Sequence, residues 1–248
     1  MNLIWVYSLI SVIIVSLISL IGIFTLSLEV ERLKRILIYM LAFSAGALFG
    51  DVCFHIFPEI SSEGFSVLSG SMVLAGIVLF FSVEKFIHWQ HCHMPITKQH
   101  IHSFAYMNLV GDSFHNFIDG LIIGASYLFS IPLGIATSLA VILHEIPQEI
   151  GDFGVLLHGG FSKWKALLMN FLTALAAVIG VIVALVLGSY SENISAILVP
   201  LAAGGFIYIA GADLIPELHK ETGFRKSLLQ LVAFLLGMGV MALLILIG

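Results

Sequence analysis

Long apolar stretches alternate with short polar segments along the whole chain. A bilayer core about 30 Å thick needs roughly 20 apolar residues to be crossed by a helix. Eight stretches meet this length, and they cover residues 3–28, 36–60, 65–88, 103–127, 132–158, 163–188, 194–217 and 226–247. A helix is expected rather than a strand, because only a helix pairs all its backbone groups within one segment. The pattern therefore predicts an all-α, polytopic membrane protein whose residues 1–248 form a single transmembrane domain.

The composition agrees with this class. The chain is 60% hydrophobic and 10% charged, with a mean hydropathy of +1.11, whereas soluble domains carry about 25% charged residues. The net charge of -5 comes without a basic patch, so a nucleic-acid partner is excluded and the lipid bilayer is the expected surrounding. The two cysteines do not resemble a disulfide framework. A cleaved signal peptide is not expected, since the first span lacks a basic start and a clear cleavage site.

The positive charges lie in alternate connections between the spans. All ten Lys and Arg residues lie at the ends of the odd-numbered spans or in the stretches that follow them, at Arg32, Lys34, Arg35, Lys85, Lys98, Lys163, Lys165, Lys220, Arg225 and Lys226. The other three connections, near 59–64, 128–131 and 189–194, contain none. Lys and Arg mark the cytoplasmic side of membrane proteins. The sequence therefore predicts that both termini are extracytoplasmic.

Spans two and seven share a pattern of residues at a constant offset of 158. The matched positions are Ala45, Gly46, His55, Pro58 and Glu59 with Ala203, Gly204, Asp213, Pro216 and Glu217. The two spans run in opposite directions, so the copies form an inverted repeat, as in many secondary transporters with a substrate site near the midplane. Chance similarity between two helices rich in small residues is the alternative.

Two polar motifs lie deep within apolar spans. Residues 115–120 of span four read His-Asn-Phe-Ile-Asp-Gly, and residues 144–152 of span five read His-Glu-Ile-Pro-Gln-Glu-Ile-Gly-Asp. Such side chains are costly in hydrocarbon and usually face an interior cavity. No Lys or Arg in these spans offsets the carboxylates of Asp119, Glu145 and Glu149, so a divalent cation or protons must do so. Imidazole and carboxylate groups are common Zn²⁺ ligands.

The spacing of these motifs brings metal-binding side chains together on helix faces. Residues four apart share a face, and the pairs are His115 with Asp119, His144 with Gln148, and Glu145 with Glu149. Pro147 lacks an N–H, so it frees the carbonyl of Leu143 and should kink span five beside the motif. The two motifs are expected to meet at similar depth and to form an intramembrane metal site. The alternative is a set of hydrogen-bonded core side chains.

On these two motifs the chain resembles the ZIP (Zrt/Irt-like) family of metal transporters, and the motif of span five is closest to the LIV-1 branch. The resemblance implies a pseudo-symmetric 3+2+3 inverted-repeat bundle, uptake of Zn²⁺ into the cytoplasm, and a homodimer. It also implies a two-metal site whose ligands are His115, Asn116, Asp119, His144, Glu145 and Gln148, completed by Asn170 of span six. Gln148 departs from the LIV-1 pattern, which has a second His there, so the number of metals and the selectivity stay open. A helix-packing amide is the alternative role for Asn170.

Further polar residues suggest a pathway on either side of this site. Asp51 and His55 are expected to line the entrance and Asp213 the exit, with contact to headgroup water as the alternative. The loop at about 89–102 and its flanks are rich in His, at His88, His91, His93, His100 and His102. This cytoplasmic loop is expected to receive or sense ions, although composition alone also fits weak incidental binding.

The predicted function is a cell-membrane transporter, in a plasma or bacterial inner membrane, that moves Zn²⁺ into the cytoplasm by alternating access. Fe²⁺, Mn²⁺ and Cd²⁺ share such ligands, and the ion is the substrate, so no catalytic residue or catalytic cofactor is expected. One alternative is an intramembrane zinc metalloprotease, because residues 144–148 resemble H-E-x-x-H. That motif lacks its second His and contains a proline. A metal-gated channel or sensor is the other alternative.

Overall fold

The structure is a computed structural model that describes residues 2–25, 30–62, 64–89, 100–158, 160–190 and 194–246. These residues form helices joined by short turns and contain no strand, which confirms the all-α prediction. Eight helices, α1 to α8, correspond one to one with the predicted spans.

Four of the eight helices are interrupted, and four are continuous. In the first half, α1 comprises Asn2–Ile18, a 3₁₀ turn at Ser19–Ile21 and Gly22–Thr25; α2 comprises Val30–Asp51, a π-helical segment at Val52–Ile56 and Phe57–Ser62; α3 is Val67–Trp89 and α4 is His100–Phe129. In the second half, α5 is Ile131–His158; α6 comprises Lys163–Ala174 and Ala176–Tyr190; α7 comprises Ile194–Tyr208, a π-helical segment at Ile209–Leu214 and Ile215–Leu218; α8 is Phe224–Leu244.

Seven of these helices are long and apolar enough to cross a membrane, and α4 is the exception. It is less apolar because it carries the polar motif of residues 115–120. Large apolar side chains are exposed along α3 and α8, for example Leu74, Val78 and Leu235. Soluble proteins rarely expose apolar surface on this scale. The chain is therefore a multi-pass membrane protein.

The helices pack in two groups. One group contains α2, α3, α7 and α8, in which α2 lies along α8 and α3 lies along α7. The other contains α1, α4, α5 and α6, in which α4 packs against both α5 and α6. The groups meet where α2 contacts α5 and where α7 contacts α4. This interface places the two polar motifs in the interior of the molecule.

The π-helical segments occupy corresponding positions of α2 and α7. Val52–Ile56, shifted by the offset of 158, falls on residues 210–214, which lie inside Ile209–Leu214. A π-helical turn adds a residue to the turn and so redirects the side chains that follow. The segment of α2 contains His55 and that of α7 contains Asp213, two of the residues predicted to line the pathway. The inverted repeat, the 3+2+3 order and the positions of the termini stay predictions.

Glycines permit the closest helix contacts within each pair. An ideal Cβ at Gly46 of α2 would lie 2.0 Å from the carbonyl oxygen of Phe234, and one at Gly237 of α8 would lie 2.0 Å from that of Phe43. Any side chain at these positions would force the two backbones apart.

Glycines also allow α3 and α7 to approach each other closely. Here a Cβ at Gly76 would lie 2.1 Å from the carbonyl oxygen of Leu201, and one at Gly204 would lie 2.0 Å from that of Val73. Gly46 and Gly204 are the matched glycines of the sequence repeat. These small-residue segments therefore serve helix contacts within one subunit.

Replacement of Gly237 by Ala should destabilise the protein, whereas replacement of Gly239 in the same helix should not. A Cβ at Gly239 meets no atom within 4 Å, but at Gly237 the helices must separate, and such overpacking typically costs about 1–3 kcal/mol. Thermal unfolding of the purified protein in detergent should show a melting temperature lower by several degrees for Gly237→Ala only. Equal melting temperatures for both variants would contradict the packing described here.

Candidate metal centre

Four side chains of α4 and α5 converge in the interior. His115 and Asp119 lie one turn apart on α4, and His144 and Glu145 are neighbours on α5. One donor atom from each lies within 4.8 Å of all the others. Asp119, His144 and Glu145 are at most 2% exposed, while His115 is half-buried. We refer to these four residues as the central site.

The spacing within the central site suits a tetrahedral zinc ion. The Nε2 atom of His144 lies 3.0 Å from Oδ2 of Asp119, 3.4 Å from Oε1 of Glu145 and 3.4 Å from Nε2 of His115. The same atom of His115 lies 3.6 Å from Asp119 and 3.5 Å from Glu145. Zinc ligands about 2.0–2.1 Å from the metal are separated by about 3.3–3.4 Å in a tetrahedron. These five donor separations are thus close to those around a single zinc ion.

Two carboxylate oxygens of the central site lack a hydrogen-bond donor. Oδ1 of Asp119 and Oε1 of Glu145 are buried and have no hydrogen-bond partner. A buried carboxylate without compensation is unfavourable. A divalent cation would satisfy both acids, and their two negative charges would balance its charge.

Local contacts orient the α5 ligands. The carbonyl of Ala140 accepts a hydrogen bond from Nδ1 of His144 at 3.1 Å, which fixes the ring so that Nε2 faces the other residues of the central site. Pro147 lies inside α5 and cannot donate to Leu143. The Leu143 carbonyl instead accepts a hydrogen bond of 2.5 Å from Oγ of Ser44 on α2. The carbonyl that the sequence predicts to be freed therefore has a partner in the other helix group.

The three amides among the predicted ligands lie outside the central site. Nδ2 of Asn116 donates to Oδ1 of Asp112 at 2.9 Å, and Gln148 lies close to Asp112. Nδ2 of Asn170, on α6, donates to Glu149. The structure thus brings together four of the seven predicted ligands and places the other three beside a second set of acids.

This second set comprises Asp112 of α4 with Glu149 and Asp152 of α5, and we call it the inner acidic cluster. Sequence reasoning named only Glu149, as a secondary residue, and missed the two aspartates. A signal was available, since Asn108, Asp112 and Asn116 follow one another at intervals of four on α4, and residues four apart share a helix face.

The predicted entrance residues lie on α2 beside the start of α5. Nδ1 of His55 is 3.3 Å from Oδ1 of Asp51, and Oγ1 of Thr137 donates to Oδ2 of Asp51 at 3.2 Å. His55 and Glu59 line a cavity of about 530 Å³ between α2, α5 and the end of α8. None of the central-site residues lines this cavity.

The predicted exit residue lines a different cavity, which does reach the central site. Asp213 shares a space of about 120 Å³ with His115, Glu84 and Tyr208, between α3, α4 and α7. The Tyr208 hydroxyl donates to the Glu84 carboxylate. Sequence reasoning missed Glu84 and Tyr208, because a single acid near the end of a span carries no distinctive pattern.

The predicted histidine-rich region lies largely outside the described part of the chain. His91 and His93 lie outside the described residues. His88, His100 and His102 fall within helices α3 and α4, but their side chains are also outside the described part of the chain.

The chain is similar to known zinc transporters over nearly its whole length. A model of the ZIP zinc transporter family matches residues 2–104 and 91–245. Zinc transporter ZIP13 of Danio rerio is 33% identical over 86% of this chain and 76% of its own length. Zinc transporter zipt-7.1 of Caenorhabditis briggsae is 33% identical over 96% of this chain and 78% of its own length. Zinc transporter YKE4 of Saccharomyces cerevisiae is 33% identical over 86% of this chain and 72% of its own length.

Loss of one central-site imidazole should weaken zinc binding strongly. His144→Ala removes one of four donors, and the loss should exceed the roughly 10–100-fold effect of removing an outer-shell partner. Isothermal titration with Zn²⁺ in detergent measures it, and His219→Ala, an exposed histidine at the end of α7, is the control. X-ray absorption at one equivalent should give N and O neighbours at about 2.0–2.1 Å. Unchanged affinity of His144→Ala would exclude this site.

Proposed function

Because the chain belongs to the ZIP zinc transporter family, in its LIV-1 subfamily, we propose that it moves Zn²⁺ into the cytoplasm through the central site. The supporting observation is the convergence of two imidazoles and two carboxylates at tetrahedral spacing between α4 and α5. Removing the hydration water of a doubly charged Zn²⁺ costs free energy. The two buried anions of the site would offset this cost because they compensate the charge of the ion. The family membership identifies a membrane zinc transporter; the route, direction and mechanism are the proposal.

The two cavities support alternating access. The cavity that reaches His115 also contains Asp213, near the end of α7 that precedes the basic connection at residues 220–226. By the charge rule that connection is cytoplasmic, so the described conformation corresponds to an inward-facing state. The cavity on the other side, lined by His55 and Glu59, stops short of the central site. An outward-facing state requires that this cavity reach the ligands while the inner one closes.

The moving parts follow from the packing. The ligands belong to the group α1, α4, α5 and α6, whereas the pathway residues His55, Glu84 and Asp213 belong to the other group. A relative displacement of the two groups moves the bound ion from the entrance residues to the exit residues. Protonation of His144 or Glu145 would then favour release, since a ligand must be deprotonated to hold the metal.

The protease alternative is not favoured. Gln148 stands where H-E-x-x-H requires its second His, and an amide is not one of the usual zinc ligands. The similar proteins are named zinc transporters, so the function is transport rather than catalysis. A channel remains the rival mechanism: saturable flux supports a carrier, and an ohmic current supports a channel.

Three finer expectations stay with the family resemblance. They are transport of Fe²⁺, Mn²⁺ or Cd²⁺ besides Zn²⁺, residence in the cell membrane, and assembly as a homodimer. Competition by each metal in an uptake assay, immunolocalisation and mass measurement in detergent address them in turn.

Replacement of central-site ligands should abolish transport without unfolding the protein. In proteoliposomes, His115→Ala and Glu145→Ala should reduce uptake of ⁶⁵Zn²⁺ to background, because each removes a donor and Glu145→Ala also removes a compensating charge. His219→Ala should transport like the unmodified protein. Helix content and elution in gel filtration confirm that each variant is folded. Uptake by both folded ligand variants at the unmodified rate would refute the assignment.

Replacement of the exit acids should slow transport but spare binding. Glu84→Gln and Asp213→Asn remove charges along the inner cavity and leave the four donors in place. The rate of ⁶⁵Zn²⁺ uptake should fall several-fold, while the affinity measured by titration should be unchanged. Glu217→Gln is the matched control, because Glu217 lies one turn further along α7 and is exposed. An unchanged rate for both exit variants would place the route elsewhere.

A further inference from the structure

A groove opens between α7 and α8 at the end of the molecule that carries the connection of residues 219–223. It has a volume of about 330 Å³, and its lining includes Glu221 of the connection with Ser227, Gln230 and Phe234 of α8. None of its lining residues belongs to the central site, the inner acidic cluster or the two cavities described above. The groove is therefore separate from the proposed zinc route.

The lining of the groove changes from polar to apolar with depth. Glu221 and Ser227 lie near the connection, and Gln230 follows the first residue of α8 by six positions, which is about 9 Å along the helix. Leu231 and Phe234 continue the lining beyond Gln230. The headgroup region of a bilayer is about 5–7 Å thick on each side of the hydrocarbon. The groove therefore runs from the level of the headgroups into the level of the acyl chains.

Gln230 brings an unpaired hydrogen-bond donor to this boundary. It is the only polar side chain among residues 228–248. It is 6% exposed, and its Nε2 atom is buried without a hydrogen-bond partner in the described part of the chain. A buried donor without an acceptor is unfavourable, and an apolar side chain at this position would avoid that cost. The amide therefore points to a ligand that carries an oxygen atom into the groove.

The charges around the mouth of the groove favour an anion. The segment 217–226 contains three basic and two acidic side chains. Lys226 donates to Glu221 at 2.7 Å, and Lys220 pairs with Glu217, so both acids are compensated. Arg225 is exposed, and the ion pairs found among the described residues do not include it. One positive charge thus remains beside the mouth, where a phosphate group would lie.

We propose that this groove binds one anionic phospholipid from the leaflet that faces the basic connections, which the charge rule makes cytoplasmic. An oxygen of the lipid's phosphate or glycerol ester accepts the hydrogen bond from Nε2 of Gln230. The phosphate lies within reach of Arg225, and an acyl chain follows Leu231 and Phe234. Basic pockets between transmembrane helices on the cytoplasmic side recognise anionic headgroups in this way.

The position of the groove gives the lipid a structural effect. α8 packs chiefly against α2, and α7 packs chiefly against α3. A lipid between α7 and α8 would therefore contact both helix pairs of this group. Phe234 also supplies the carbonyl oxygen that approaches Gly46 most closely, so the groove backs onto the tightest contact between α2 and α8. Binding should accordingly stabilise the group of α2, α3, α7 and α8.

Thermal unfolding with added lipid tests the proposal. The full-length protein, purified in detergent and freed of lipid, should gain several degrees in melting temperature when phosphatidylglycerol is added to the micelles. Phosphatidylcholine should give a smaller gain, because its choline cation offsets the charge of its phosphate. Inorganic phosphate should give none, because it brings no acyl chain into the groove. Native mass spectrometry should show one phosphatidylglycerol per chain that is retained more strongly than any other.

Two variants and a control assign the bound lipid to the groove. Gln230→Leu should weaken retention of phosphatidylglycerol by about three- to tenfold, the range expected for one hydrogen bond. Its melting temperature without lipid should equal or exceed that of the unmodified protein, because no unpaired donor is buried; a role in packing alone would lower it. Arg225→Gln should also weaken retention. Lys163→Gln removes one exposed positive charge at the start of α6 and should bind like the unmodified protein.

The contrary outcomes are equally defined. Unchanged retention of phosphatidylglycerol by both Gln230→Leu and Arg225→Gln would overturn the proposal. Equal stabilisation by inorganic phosphate would also overturn it, because the ligand would then be a free anion, and equal stabilisation by phosphatidylcholine would exclude recognition of an anionic lipid. If Gln230→Leu is not recovered folded, the exposed Arg225→Gln decides. None of these measurements involves zinc, so their result is independent of the proposed function.

Discussion

Negative charge buried in a membrane interior is the constraint on which the rest of the structure depends. Asp119, Glu145 and Glu149 are at most 1% exposed. Neither of the helices that carry them, α4 and α5, contains a Lys or Arg. Such charge is unfavourable unless a counter-ion is present. Imidazoles, amides and hydroxyls orient these acids, and a bound cation or protons must supply the neutralising charge.

A second constraint is the close approach of helices without a hydrophobic driving force. In lipid, helices associate through packing and hydrogen bonds, and here glycines let backbones meet at Gly46, Gly76, Gly204 and Gly237. Within the group of α2, α3, α7 and α8, these contacts make two tight pairs. The polar contacts are concentrated elsewhere, in and around the group that carries the ligands. The group of α2, α3, α7 and α8 is thus stabilised chiefly by close packing. The group of α1, α4, α5 and α6 is also stabilised by the hydrogen bonds to its buried acids.

The sequence was sufficient for the helices and for the central site, because both depend on regular patterns. Three patterns can be read directly from the sequence: the length of the spans, the alternating charge of the loops and the four-residue spacing of polar side chains. They identified all eight helices and the residues His115, Asp119, His144 and Glu145. The inner acidic cluster was incompletely foreseen, because Thr173 and Asn170 of α6 reach Asp112 and Glu149 only through tertiary packing. The same holds for Glu84, whose meeting with Tyr208 joins α3 to α7. The assignment of Asn116, Gln148 and Asn170 as ligands came from motif position alone and stays a prediction. The structure adds that the side-chain nitrogens of Asn116 and Asn170 donate to Asp112 and Glu149.

The hydrogen bond from Ser44 to Leu143 has a consequence for how this protein divides its time between conformations. Pro147 makes that carbonyl permanently available, and a hydroxyl of the opposite helix group occupies it in the described state. If the two helix groups move relative to each other as proposed, this bond is present in one of the two states and absent from the other. Its strength contributes about 0.5–1.5 kcal/mol, enough to change the ratio of two conformations by about two- to tenfold. Under the proposed mechanism, a substitution of Ser44 would shift the ratio of the two conformations and leave the metal ligands unchanged.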